Sequence, residues 1–408
     1  MVVAQRRFIV LRPHYEREFQ MVRFSLRTAW RSDPNPLTQA VAHAVASGRA
    51  PIDLTRSNPT SVELPYTPDL LAPLGSPEAL RYEPTALGLD DARAFLAQWL
   101  TARGQPASAA RTVLTASSSE SYSYLFHLLA DPGDEVLVPA PSYPLFGFLA
   151  DLAGVRLVTY PLRYDGAWHI DLGALEAAVS ERTRALIVVS PNNPTGSCVQ
   201  PAEVTVLRAL CAGRSLALIS DEVFFDYPLG PRLPTTLAGP SPCLSFVLGG
   251  LSKLAGLPQV KLGWMLVGGP DDLVEAALAR LELVADTFLS VGTPVQRALP
   301  ALLRSSEVVA GAIRERCRRN LGALREAVRG SAATVLDVEG GWCAVVRLPA
   351  TRREEDWVLA LLAGGVLVHP GHFFDFDREP FVVVSLLPTE GEFDRGVEIL
   401  RTVVDQDG

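Results

Sequence analysis

One lysine and a few polar neighbours carry the chemistry that can be read from this chain. Lys253 stands in Gly249-Gly250-Leu251-Ser252-Lys253-Leu254-Ala255-Gly256-Leu257, among apolar and glycine residues. A dry setting and a nearby cation both disfavour the ammonium form, and the neutral amine they leave is a nucleophile for carbonyls. Lys261, eight residues on, supplies such a cation, and its charge also suits a phosphate. Gly249, Gly250 and Gly256 allow the backbone to come close to a ligand. An ordinary surface lysine would have polar flanks, and apart from Ser252 those of Lys253 are apolar or glycine.

Upstream of it, Asp221 closes the apolar run Leu216-Ala217-Leu218-Ile219-Ser220. A carboxylate there is costly unless paired, and a protonated ring nitrogen would pair it; capping of the next segment is the plainer use. Asn193 sits in Ser190-Pro191-Asn192-Asn193-Pro194-Thr195-Gly196, a turn at the end of another apolar run that offers an amide sideways. Tyr143, held between Ser142 and Pro144, could lie flat against a ring, or simply pack. Ser117-Ser118-Ser119-Glu120 joins a strand to a helix, where free N–H groups and the helix dipole favour an anion. A simple N-cap is the alternative use of those serines. Amide, carboxylate and amine together call for a ligand with an acidic phenol, a basic ring nitrogen and an aldehyde. Pyridoxal phosphate has all three.

The elements that must position these groups follow from periodicity. Short β-rich runs are expected at Thr112–Thr115, Glu135–Val138, Arg156–Tyr160, Ala185–Ser190, Leu216–Ser220, Ser245–Leu248 and Gly263–Val267. Helical patterns are expected between them at Ser119–Ala130, Leu172–Ser180 and Pro201–Ala212. The runs are continuously apolar, as in a parallel sheet covered on both faces. The alternation predicts an α/β layer architecture whose ligand lies beyond the carboxyl ends of the strands. After Pro270, long helices over 273–286 and 306–328 precede apolar runs at Trp342–Leu348 and Phe381–Leu387, with a helix at Glu354–Leu362 between them, a smaller α+β unit. The first fifty residues are expected to be mostly helical and to pack on that unit, and the stretch from Gly230 to Pro242 to be a surface loop.

Composition bounds the function class. The 408 residues are 48% hydrophobic and 20% charged, enough for two domains and a large core. A net charge of −8 argues against nucleic acid as a partner. Five scattered cysteines without close pairs fit neither a disulfide framework nor a metal site, so no metal is expected and the cysteines are expected to be reduced, in the cytoplasm. The apolar patch Phe8 to Leu11 is too short for a signal peptide, and no run is long enough to span a membrane.

Together these segments resemble the aspartate-aminotransferase superfamily, the class I/II pyridoxal-phosphate enzymes of fold type I, over roughly residues 52–400. The resemblance implies a large domain with a mostly parallel seven-stranded sheet between helices (residues 56–299) and a small α+β domain built from both termini (1–55 and 300–408). It implies an aminotransferase moving an amino group between an amino donor and a keto acid through a Lys253 Schiff base, in a homodimer with active sites at the interface. By the same likeness Asp221 pairs with the pyridine nitrogen, Asn193 bonds the ring oxygen and Tyr143 stacks on the ring. Ser118, Ser119, Ser252 and Lys261 hold the phosphate, and Tyr82 reaches the phosphate of the partner subunit.

Four departures from the family pattern stand out. Phe224 replaces a tyrosine that would donate to the ring oxygen, Lys261 replaces an arginine, and Gly250 a serine. Val383 occupies the place of the arginine that grips the substrate α-carboxylate, in Phe381-Val382-Val383-Val384-Ser385. Arg378, Arg347 and Arg56 are candidate substitutes, and His372 lies in a loop that borders the pocket in the family. These departures leave room for an unusual substrate, or for a lyase or cyclase acting on an unusual amino acid. A purely regulatory use of the fold is the third reading.

Overall fold

The computed structural model describes residues 23–30, 33–231, 233–289, 291–376 and 380–406. The patch Phe8 to Leu11 and Arg378 lie outside the described residues. In chain order, α1 (Pro36–Ala46), β1 (Ile52–Asp53) and α2 (Asp90–Ala102) precede the main layer. That layer begins with β2 (Thr112–Thr115), α3 (Ser118–Leu129), β3 (Glu135–Ala140), α4 (Leu145–Ala153), β4 (Arg156–Tyr164) and β5 (Trp168–Ile170). It continues with α5 (Leu172–Ala178), β6 (Thr183–Val189), α6 (Pro201–Arg214), β7 (Ala217–Asp221), β8 (Ser245–Gly250), α7 (Leu251–Leu254) and β9 (Gly263–Gly268). Then come α8 (Asp271–Phe288), α9 (Thr293–Ser305), α10 (Glu307–Ala327), β10 (Thr334–Val335), β11 (Cys343–Arg347) and α11 (Glu354–Ala363). The chain ends with β12 (Val366–Leu367), β13 (His369–Pro370), β14 (Phe381–Ser385) and α12 (Glu390–Asp405).

The main sheet has the order β2-β9-β8-β7-β6-β3-β4-β5. Its centre, β8-β7-β6-β3-β4, is parallel, while β9 runs antiparallel to both β8 and β2. All seven expected strands are present, and β5 adds an eighth by folding back on β4. The carboxyl ends of β2, β3, β6, β7 and β8 therefore open on one edge. Side chains of β6 and β7 are buried on both faces, which is why their sequences show no alternation. One face packs on α3, α4 and α8 through Val113, Phe126, Val136 and Leu281. The other packs on α2, α6, α9 and α10 in a core continuous with the second sheet.

The second sheet is four-stranded, β10-β11-β14-β13, and wholly antiparallel. The segment after β1 joins it to the short parallel pair β1-β12: Ser385 N donates to Leu54 O at 2.7 Å, and Leu54 N donates to Leu367 O at 3.0 Å. The amino-terminal segment divides its contacts. Helix α1 packs on α11 as expected, but Trp30 Nε1 donates to Asp151 of α4 at 2.7 Å, so residues 26–30 lie on the main layer instead. The stretch from Gly230 to Pro242 is not merely superficial. Leu237 is buried, and its N–H and the Thr236 hydroxyl both donate to the buried Glu222 carboxylate. Among the described residues no helix is long and apolar enough to cross a membrane, and no three His, Cys, Asp or Glu residues group as metal ligands.

Candidate active site

Five loops at the carboxyl edge of the main sheet surround a cavity of about 280 Å³. Ser117, Ser118 and Ser119 follow β2, Tyr143 follows β3, Asn193 follows β6, Phe224 follows β7, and Ser252 and Lys253 follow β8. Asp221, the last residue of β7, and Lys261, just before β9, complete the expected set. The second sheet and the β1 segment close the far side with Thr55, Ser57, Trp342, Cys343, His369 and Ser385. A larger cavity of about 510 Å³ near Pro106 and Gly268 has Arg111 and Asp271 as its charged groups, and these pair with each other.

Each side chain is fixed by local structure. Ser117 caps α3, its Oγ accepting from Glu120 N at 3.2 Å, while the Glu120 carboxylate accepts from Ala116 N at 2.6 Å. Ser118 and Ser119 therefore open the helix, where backbone N–H groups lack carbonyl partners. The two asparagines of the Ser190–Gly196 turn divide their work. Asn192 holds the loops together, donating to Pro141 O at 3.0 Å and to Thr195 Oγ1 at 2.8 Å and accepting from Ser142 Oγ at 3.1 Å. Asn193 faces the cavity, and its buried Oδ1 has no partner among the described residues.

Asp221 accepts from Tyr122 OH at 3.0 Å and from Val223 N at 3.1 Å. Burial pushes its carboxyl up from the usual range, while the two donors and Lys253 pull it down. Burial likewise lowers the Lys253 pKa, and Cys343 and Asp221 act in the opposite direction. The Lys253 Nζ lies 5.7 Å from the centre of the Phe224 ring and 5.1 Å from that of Trp342. The two rings meet edge to face at 5.3 Å. Tyr227 braces the lysine from behind, its hydroxyl donating to Lys253 O at 2.8 Å. Lys253 and Lys261 are the only two lysines of the chain, and both face this cavity. Lys261 sits at φ 59°, a left-handed backbone that a side chain other than glycine seldom adopts.

Some expected residues lie elsewhere. Tyr82 is 64% exposed and lies outside the cavity. His372 also lies outside it: its Nδ1 meets the buried Glu354 carboxylate at 2.7 Å, and its neighbours Phe373 and Phe374 line the wall. Arg56 pairs with Glu392 at 2.7 Å, and Arg347 is exposed at the end of β11. Neither lines the cavity. Val383 is fully buried against Trp168, Val345 and Phe373.

Sequence reasoning missed Tyr122, Trp342, Cys343 and His369. Only Tyr122 left a trace, as a polar aromatic on the apolar face of α3.

The chain matches the family model described as aminotransferase class I and II over residues 73–400. It is 34% identical to the capreomycidine synthase of Streptomyces vinaceus over 294 residues, 71% of this chain and 72% of that protein. It is 32% identical to an alanine aminotransferase of Mycobacterium tuberculosis over 188 residues, which is 45% of this chain and only 43% of the relative's length. Among solved structures, the alanine aminotransferase of Pyrococcus furiosus superposes with a TM-score of 0.84 at 20% identity, over 94% of this chain and 100% of that one. The tyrosine aminotransferase of Leishmania infantum gives 0.82 at 18%, over 95% and 99%. At those identities the structural likeness speaks for the fold.

Proposed function

The chain belongs to the aminotransferase class I and II family, and on that premise we propose that it binds pyridoxal 5'-phosphate in this cavity and moves an amino group between an amino donor and a keto acid. The observation that carries the reading is a buried amine, Lys253, sharing one cavity with a buried carboxylate, Asp221. The residues fit the cofactor. The carboxylate is met by two neutral donors, Tyr122 OH and Val223 N, and the Asn193 side chain, which lines the cavity, has a buried oxygen without a partner among the described residues. The serines at the start of α3, with Ser252 and Lys261, suit a phosphate.

Asp221 would hold the ring nitrogen, and Tyr122 keeps that carboxylate oriented. Asn193 would hold the ring oxygen without help from position 224, where Phe224 has no donor. Tyr143 would pack against the ring. When bound, the cofactor supplies an aldehyde that condenses with amines and a ring that accepts electrons from the substrate α-carbon. Lys253, whose ammonium form burial disfavours, would be the base that takes the proton from that carbon and returns it one position away. The aromatic wall of Phe224, Trp342, Phe373 and Phe374 keeps water from that exchange. We further propose a homodimer in which Tyr82, exposed on one protomer, reaches the phosphate held by its partner.

A second reading keeps the cofactor and changes the reaction to elimination or cyclisation. It is favoured by the likeness to a capreomycidine synthase over 71% of the chain and by the absence of a cation at Val383. A panel of amino donors against several keto acids separates the two. Transamination requires an acceptor and returns a new amino acid; release of product without any acceptor would replace it with the lyase or cyclase reading.

A further inference from the structure

The substrate side of the cavity contains a group placed to replace the missing arginine. His369 of β13 is the cross-strand partner of Val383 in β14. Side chains of such partners rise from the same face of a sheet, within about 5.5 Å of each other at Cβ. Val383 packs against Phe373 just beneath the cavity, and His369, whose ring also meets Phe373, lines the cavity itself. Ser385, two residues along that face, also lines it, as do Thr55 and Ser57 from the crossing segment.

The ring is held by neighbours rather than left to wander. Its centroid lies 6.1 Å from that of Phe373 and 5.8 Å from that of Phe374, edge-on to both. Phe374 is tied in turn to the Tyr143 loop, its carbonyl accepting from Ser142 N at 2.9 Å.

We propose that His369 is the residue that holds the substrate α-carboxylate, in place of the cation absent at position 383. The proposal rests on the aminotransferase reading and names the group that recognises its substrate. Its chemistry differs from an arginine's. Burial lowers the imidazole to about 4, against the pull of Asp53 and the Thr55 backbone, so at neutral pH it waits uncharged. An incoming carboxylate in a dry cavity is costly unless it is paired, and it pairs when the ring takes up a proton from solvent. Carboxylate binding therefore carries a proton with it, which an arginine site does not require. The other titratable groups around the same space are Asp53 of β1, Asp221, Lys253, Lys261, Tyr122, Tyr143 and Cys343.

Calorimetry of 3-phenylpropionate, a carboxylate that cannot react, tests this on the cofactor-loaded protein in buffers of different ionisation enthalpy. The expected result is uptake of close to one proton near neutral pH, with affinity falling by up to about tenfold per pH unit. His369→Gln, checked for folding by circular dichroism, should abolish that uptake and weaken binding at least about tenfold. Absence of binding, absence of uptake in the unaltered protein, or uptake and affinity unchanged in His369→Gln would overturn the proposal. If that variant does not fold, His369→Asn takes its place in the same comparison. None of these readouts depends on turnover, so failure here is distinct from failure of the amino-donor panel.

Discussion

Lys253 is pressed toward its neutral form by burial, and two groups oppose that pressure, Cys343 and Asp221. The sign at each follows from charge: a carboxylate stabilises the ammonium, so removing it lowers the lysine pKa further. In the cofactor-free protein, acylation of Lys253 should therefore reach its plateau at a lower pH than for a free lysine. Asp221→Asn should move that profile to still lower pH. Peptide mass spectrometry over a pH series reads both, and the analysis is simple because Lys261 is the only other lysine. At this scale the reactive groups were legible because each stands at or just past the end of an apolar run. Tyr122, Trp342, Cys343 and His369 were not, because their meaning lies in who faces them across the cavity. A histidine in Val368-His369-Pro370 looks like any loop histidine until β13 is paired with β14.

The loops that carry these residues depend on close backbone packing. Gly196 ends the asparagine turn at φ +69°, and a Cβ there would meet Val338 Cγ1 at 2.6 Å and Gly340 O at 2.7 Å. Its carbonyl accepts from Glu339 N and Gly340 N, so the turn is docked on the segment that leads to Trp342. Gly196→Ala should cost about 1 to 3 kcal/mol, read as a lower urea midpoint, and should weaken cofactor retention as well. Glu222, beside Asp221 in sequence, faces away from the cavity and gathers Gln105 Nε2, Ser220 Oγ, Thr236 Oγ1 and Leu237 N. Glu222→Ala should lower stability by at least about 2 kcal/mol while leaving the spectrum of bound cofactor unchanged. The central strands could be read from sequence since they are apolar throughout. Strand β5 could not, being three residues with a histidine in the middle, and helix α9 was obscured by Pro294 and Pro300. Tertiary packing decides both.

For the whole molecule, the exposed Tyr82 places a demand on assembly. The protein should sediment as a dimer, and a mixture of Tyr82→Phe and Lys253→Ala subunits, refolded together, should form one site that lacks both defects. Activity above that of either variant alone would then appear, and its absence would count against a site shared between subunits. The account as a whole turns on where the cofactor attaches. Borohydride reduction of the purified protein with pyridoxal phosphate, followed by digestion and mass spectrometry, should place a single pyridoxyl group on Lys253 and none on Lys261. Lys253→Ala should carry no label and lose about 10² to 10⁴ in rate or more. A label on Lys261, or a reducible adduct that survives in Lys253→Ala, would contradict it.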